Sequence, residues 1–425
     1  MKYRARLSAG GRSTSAATRP CGLLALVCSL AVSTASDARE VTEHQALAAA
    51  LARPELQVLE SSRRQAMEAE IEQSVMLPNP VMALGREGFT TGGGGSIETS
   101  YELQQQIDLA GRRRLTRAAG MARLDAFDSA ARGRREELVA QVRRGFADLL
   151  YRVRILAVLE EGQRRLAAVA TVVERLAQTG DASGYDRRRV AREQSAHQVR
   201  VGTAGAELRR SRALLGGFLD EPDAQALEPV GALLPAPPPP FERLTAGLPQ
   251  RPELTALQAQ ADASAGELRV AQRAWIPDVT LGIGNRVIDG EEGDNERVML
   301  SLSLPLPVFD RGQPAARKAA AMHAAFQAEH ALRAARLAAE LDGAWQQASA
   351  LARAARSFRR DSLADSRELT RIARAAYADG EGTILDLLDA YRTELDAALS
   401  SLELDFRAKL ARIDLDQLAG VNPDE

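Results

Sequence analysis

The chain has 425 residues, a formal net charge of −2 and only 4% aromatic side chains. That length suits two or three ordinary domains or one elongated one. Near-neutrality excludes a nucleic-acid binder that works through a basic domain, and the abundance of Ala, Leu, Arg and Glu favours long helices.

Residues 1–38 read as a signal peptide. Lys2, Arg4, Arg6, Arg12 and Arg19 precede the apolar run CGLLALVCSLAV (21–32), and the small residues of STASDA follow, with cleavage expected after Ala35 or Ala38. The run is shorter than the roughly 20 residues a transmembrane anchor needs. Val27 is a poor match to the small residue that lipid attachment at Cys28 would want. Cys21 and Cys28 are the only cysteines, so the processed chain is expected to hold no disulfide and no thiolate metal site. No later stretch is long and apolar enough for a membrane-spanning helix.

The remainder is a duplication. A first repeat over 39–218 and a second over 246–420 are joined by a Pro-rich linker, 219–245, and followed by a tail, 421–425. ARPELQVLESS (52–62) is echoed by QRPELTALQAQ (250–260). Each opens a short helical stretch that ends at proline, in MLPNP (76–80) and WIPD (275–278). A strand, a Gly- or acid-rich loop and a second strand follow in both halves. The second strands end at glycine turns, IDLAGRRR (107–114) and VFDRGQPA (308–315), which place Gly111, Pro305, Pro307 and Gly312 at strand-to-helix transitions. The prolines are expected on the inward face near the end of a strand running through VMLSLSLPLPV (298–308).

Long helical segments come next. The first, about 112–178, would extend roughly 100 Å. Val139, Val142, Phe146, Leu149, Val153 and Leu156 recur at alternating steps of three and four, the seam of a coiled coil. Leu388, Tyr391, Leu395, Leu399, Leu402, Phe406 and Leu410 continue such a seam in the last helix. The helices break at TGDASGYD (179–186) and DGEGTILD (379–386). Gly180 and Gly380 supply the stop, and Ser183-x-x-Asp186 and Thr383-x-x-Asp386 fit a capping box. Their common spacing marks equivalent ends of one repeated unit. The linker's Pro235 and Pro237–Pro240 favour an extended, stiff connector.

The strands decide between a helical bundle and something else. In repeat one, Ile97, Thr99, Tyr101, Leu103 and Ile107 share a face, with Gln105 interrupting it, while Glu98, Ser100, Glu102, Gln104 and Gln106 share the other. In repeat two the leucines from Leu300 onward alternate with Ser301 and Ser303. Such alternation over about ten residues is the mark of a membrane β-barrel strand, or of a half-buried strand in a soluble sheet. Two hairpins give only four strands, and open edges are forbidden in lipid. Two copies would give eight strands and a filled interior; three give twelve strands, an open lumen and a tube of helices. The physical reading favours a trimeric conduit. Its lumen would be lined by Glu98, Ser100, Glu102, Gln104, Gln106, Ser301 and Ser303.

In LPNPVMALGREG (77–88), YELQQQIDLAGRRR (101–114), RPEL (251–254), WIPDVTLGIGN (275–285), LSLPLPVFDRGQ (302–313) and AYADGEGTILDLLDAYR (376–392) the chain resembles the TolC family of outer-membrane efflux proteins. Within it the chain looks most like the outer-membrane factors of cobalt–zinc–cadmium resistance systems. The resemblance implies a mainly α fold with a small β part. A trimeric α-barrel of long coiled-coil helices would continue into a shared 12-stranded β-barrel in the outer membrane of a Gram-negative bacterium, four strands per chain. It implies a homotrimer among outer-membrane lipid, a periplasmic adaptor, an inner-membrane RND pump, and no cofactor. It implies that the hairpin tips form the periplasmic aperture and adaptor contact, here Gly180, Asp181, Ser183, Asp186, Arg187, Gly380, Glu381, Thr383 and Asp386. Acid gathered there would attract cations, although Asp186 and Asp386 also serve as caps.

Other chemistry finds little support. GIGNRV (282–287) lacks the third glycine and the helix of a dinucleotide fingerprint, and GGGG (92–95) lacks the Lys and Ser/Thr of a phosphate loop. GEEGDNE (290–296) lacks EF-hand spacing. His323 and His330 lie two turns apart, too far to chelate together. No catalytic constellation is present. An exit duct for metals needs none; a duct for drugs or secreted polypeptides, a periplasmic adaptor and a coiled-coil scaffold are the competing readings.

Overall fold

The computed structural model describes residues 39–91, 94–180, 182–289 and 295–421. The signal segment, Cys28, Asp181, and most of the glycine and acidic loops lie outside these residues. Repeat one runs β1 (Arg39–Thr42), α1 (Glu43–Leu51), α2 (Pro54–Val75), β2 (Val81–Thr91), β3 (Gly94–Ile107), α3 (Arg112–Thr179) and α4 (Gly184–Leu219). After β4 (Leu227–Val230) and α5 (Phe241–Thr245), repeat two runs α6 (Pro252–Gln272), β5 (Val279–Asp289), β6 (Asn295–Ser303), α7 (Gln313–Arg360), α8 (Ser362–Ala378) and α9 (Ile384–Ala419).

Local chemistry sets the boundaries. Pro54 and Pro252 sit at the first position of α2 and α6, where the missing N–H costs nothing. Gly312 precedes α7 at φ +84°, and a Cβ there would come within 2.4 Å of the Ala271 carbonyl oxygen. Only glycine fits that turn. Close approach also brings α3 and α6 together under the strands, where a Cβ on Gly266 would lie 2.8 Å from that of Ala119.

Two sheets result. β2-β3-β5-β6 is antiparallel and four-stranded, so each repeat contributes one hairpin and the two meet at β3 and β5. β1 and β4 form a small parallel pair that ties the chain's start to the inter-repeat stretch. Around that pair lies the largest core, with Phe146 and Leu149 of α3, Leu215 of α4, Leu227 and Leu233 all buried. Tyr151 stacks on Phe406 at 4.5 Å between ring centres, joining α3 to α9.

The Pro-rich stretch is laid against this waist. Proline has no N–H to satisfy, but its carbonyl remains an acceptor. Trp345 Nε1 donates to Pro239 O at 2.9 Å, Arg356 Nη2 to Pro235 O at 2.9 Å and Arg412 Nη1 to Pro237 O at 3.2 Å. A buried ion network lies beside it. Arg143 bridges Glu43 (2.7 Å) and Asp416 (3.0 Å), and Lys409 and Arg412 complete the set.

Two features depart from the sequence reading. The strand expected through position 308 ends at Ser303. Pro305 and Pro307 cannot donate to a ladder, and among the described residues no strand lies beside that stretch. The second long helix bends at Asp361, whose ψ is −75°. Asp361 N still donates to Ser357 O, and Asp365 N to Asp361 O, both at 2.9 Å, so the ladder runs on through a kink.

Truncating Phe146 to Ala should cost about 3–5 kcal/mol through the cavity it leaves, read as a fall in the denaturant midpoint followed by circular dichroism. Burial pushes the Glu43 carboxyl up, but Lys409 and Arg143 outweigh it and hold it below its ordinary value. Its contribution is therefore full above that ordinary value and disappears as the pH falls through the lowered one. Glu43→Gln should flatten that part of the acid limb of stability against pH; an unchanged limb would remove the tie from the account.

Candidate functional site

The four-stranded sheet sorts its side chains by chemistry. Register places Leu84 opposite Tyr101, Met82 opposite Leu103, Leu103 opposite Ile283, and Ile283 opposite Leu300, all on one face. That face is left bare, with Leu84 67% and Leu300 77% exposed. Gln105, which interrupts the apolar series, turns its amide to the carbonyls of Pro78 (3.1 Å) and Gln106 (2.9 Å).

Glu98, Ser100, Glu102, Gln104, Gln106, Ser301 and Ser303 all lie on the opposite face. They are joined there by Arg286, whose guanidinium pairs with Glu98 at 2.7 Å, and by the Ser301 hydroxyl donating to Glu102. A Cβ on Gly282 would collide with both Glu102 and Ser301. The polar face is thus closely packed and carries both signs of charge. Arg286 was not singled out in the sequence; its alternation with Gly282 and Gly284 is the signal that could have found it.

At the far end of the long helices, both capping boxes form. Ser183 N donates to Asp186 Oδ2 at 3.1 Å and Asp186 N to Ser183 Oγ at 3.1 Å. Thr383 N donates to Asp386 Oδ2 at 3.0 Å and Asp386 N to Thr383 Oγ1 at 3.2 Å. These bonds hold the Asp386 carboxyl below the usual aspartate value, the Thr383 hydroxyl being the larger cause. Gly180 and Gly380 close the preceding helices at φ +86° and +76°. The two tips come together over one cluster of Val169, Val173, Val190, Leu387 and Leu388. Tyr377 joins it, and burial followed by the Asp186 carboxylate pushes its hydroxyl pKa up. Arg187 is drawn back to Glu174 of α3 at 3.5 Å, while Glu381 points to solvent.

Further along, the two hairpins enclose a groove of about 690 Å³. Arg165 binds Glu394 across it at 2.9 Å, Arg392 pairs with Glu193, and Arg200 stands 3.9 Å from Asp396. His197 lines it, buried, with Nε2 2.6 Å from the Leu159 carbonyl and its ring filling the space Gly162 leaves. No sequence signal announces this groove, because its walls come from residues some 200 positions apart. Among the described residues no helix is long and apolar enough to cross a membrane, and no group of three His, Cys, Asp or Glu could hold a metal ion.

An elongated helical body ending in a bare-faced, open-edged antiparallel sheet is the architecture of a known class. Residues 246–421 match the outer membrane efflux protein family. The cobalt-zinc-cadmium resistance protein CzcC of Cupriavidus metallidurans is 24% identical over 356 residues, covering 83% of this chain and 84% of that protein, so the likeness reaches into both repeats. Two solved structures share the fold. A membrane protein from Pseudomonas aeruginosa superposes with a TM-score of 0.72 at 19% identity, over 89% of this chain and 93% of that one. CusC, described for its transmembrane channel formation, gives 0.70 at 18% identity, over 89% and 91%. The chain thus shares the fold of these outer-membrane channels, and its second half is similar to outer membrane efflux proteins.

Thr383→Ala removes the hydroxyl that caps α9. The amides of the first turn of α9 should exchange with solvent roughly fivefold faster, the factor that a cap of about 1 kcal/mol implies, in hydrogen-exchange mass spectrometry. Unchanged exchange would mean that the tips are held by Val169, Val173 and their neighbours alone.

Proposed function

We propose that this chain is the outer-membrane exit duct of a tripartite efflux system and that its cargo is divalent heavy-metal cations. Three copies would share one twelve-stranded barrel in the outer membrane and one tube of helices reaching across the periplasm. A periplasmic adaptor and an inner-membrane RND pump would load it. The observation that carries the duct reading is the sheet: one bare apolar face, one polar face on which Glu98 pairs with Arg286, and two edges unpaired among the described residues. The metal reading is supported by the relationship to CzcC, named for cobalt, zinc and cadmium resistance.

The polar face suits passage rather than capture. Glu98 is neutralised by Arg286 and Glu102 is engaged by Ser301. Glu87 adds a further carboxylate opposite Glu98, yet no group of three acids or histidines that could hold a metal ion lies among the described residues, and weak contacts are what conduction requires. Asp186 and Asp386 serve as caps, while Glu381 makes no such bond and is exposed.

Deleting the gene should sensitise the native host to cobalt, zinc or cadmium salts, and the intact chain should restore growth. Sensitivity confined to organic drugs, with metal tolerance unchanged, would overturn the metal cargo and leave the duct.

A further inference from the structure

The duplication supplies a template for a joint that one chain leaves open. Aligning PVMALG (80–85) with PDVTLG (277–282), and YELQQQIDLAG (101–111) with LSLPLPVFDRG (302–312), sets Met76 against Arg273, Val81 against Asp278, Gln106 against Pro307 and Asp108 against Phe309. Within the chain, the second strand of repeat one pairs with the first strand of repeat two, starting at Ile107 opposite Val279. Beneath that pairing the joint is polar. Gln106 Nε2 donates to Asp278 at 2.9 Å, Arg112 pairs with the same carboxylate, and Arg273 Nη1 donates to the Ala110 carbonyl at 2.9 Å.

The equivalent joint between two copies brings β6 to the β2 of a neighbour. There the charged members are gone. Asp278 is replaced by Val81, Arg273 by Met76, Gln106 by Pro307 and Arg112 by Gln313. What stands at these positions is bare in the single chain, with Phe309 95%, Met76 65% and Val81 58% exposed. Apolar groups this bare, next to unpaired strand edges, are unsuited to water.

We propose that the joint between copies is sealed by apolar contact, Phe309 packing on Met76 and Val81 of the neighbouring copy, where the joint inside the chain is sealed by the Gln106–Asp278–Arg112 cluster. The proposal rests on the shared-barrel reading and specifies its interface. The same alignment fixes the register, with Val308 opposite Met82 of the neighbour and Leu306 opposite Leu84. It also accounts for the early end of β6. Thr280 pairs with Ser303, and β5 starts one residue before Thr280. Residues 305–308 therefore run past the end of β5 and have no described strand beside them until a neighbour's β2 arrives.

The test is disulfide trapping in the full chain with Cys21→Ser and Cys28→Ser. Phe309→Cys with Met76→Cys should give a ladder of cross-linked oligomers on oxidation, and neither single variant should exceed a dimer. Gln106→Cys with Asp278→Cys should close within one chain and give no ladder. Phe309→Asp should lower the oligomeric fraction in detergent by about tenfold or more, while Phe309→Leu keeps it. The proposal is overturned if the register pair Leu306→Cys with Leu84→Cys gives a ladder but the 309–76 pair does not. It is equally overturned if Phe309→Asp assembles as well as the parent chain. A parent chain that is monomeric in detergent overturns the shared barrel itself, and this proposal with it.

Discussion

The unpaired backbone edges of β2 and β6 govern everything else in this molecule. Along each runs a row of N–H and C=O groups that no other strand among the described residues satisfies. In water such edges invite aggregation, and in hydrocarbon each unsatisfied group costs several kcal/mol. One face of the same sheet is apolar over four strands and lies bare among the described residues. An apolar face needs lipid, lipid forbids open edges, and one chain has only two hairpins. Closure by further copies, as proposed above, would satisfy all three conditions and would make a wall with a polar inner surface.

The helical body serves that wall. Gly266 and Ala119 let α6 and α3 approach closely directly beneath the strands, so four short spans of sheet continue into a wall of helices. The waist holds the long helices in register. There α1, α3 and α9 are tied by the Glu43–Arg143–Asp416 network, and the Pro-rich stretch crosses the bundle as a strap of carbonyl acceptors. The far ends are held differently, by a small apolar cluster and two capping boxes. A tip with few buried side chains and locally capped helices is the part of such a body that opens at least cost.

What was legible in the sequence was whatever is encoded within a few residues. Glycines at 111, 180, 312 and 380 and the Ser183 and Thr383 caps each act on their own turn, and the helices begin and end there. The period-two pattern of β3 sorted its side chains onto two faces as read, because alternation is a property of the strand itself. The end of β6 was misplaced: the leucine alternation continues to 306, but a strand needs a neighbour as well as a pattern. The parallel pairing of β1 with β4, the Arg143 network and the groove beside His197 join residues from about 40 to some 370 positions apart, and no local signal marks them. The bend at Asp361 was equally hidden, in a stretch whose composition is helical throughout.

Native mass spectrometry of the chain extracted from outer membranes tests the central claim most directly. The account predicts a species that leaves the membrane only with detergent and carries three copies, twelve strands in one ring. A chain recovered without detergent, or one that flies as a monomer from membranes under gentle activation, would contradict it.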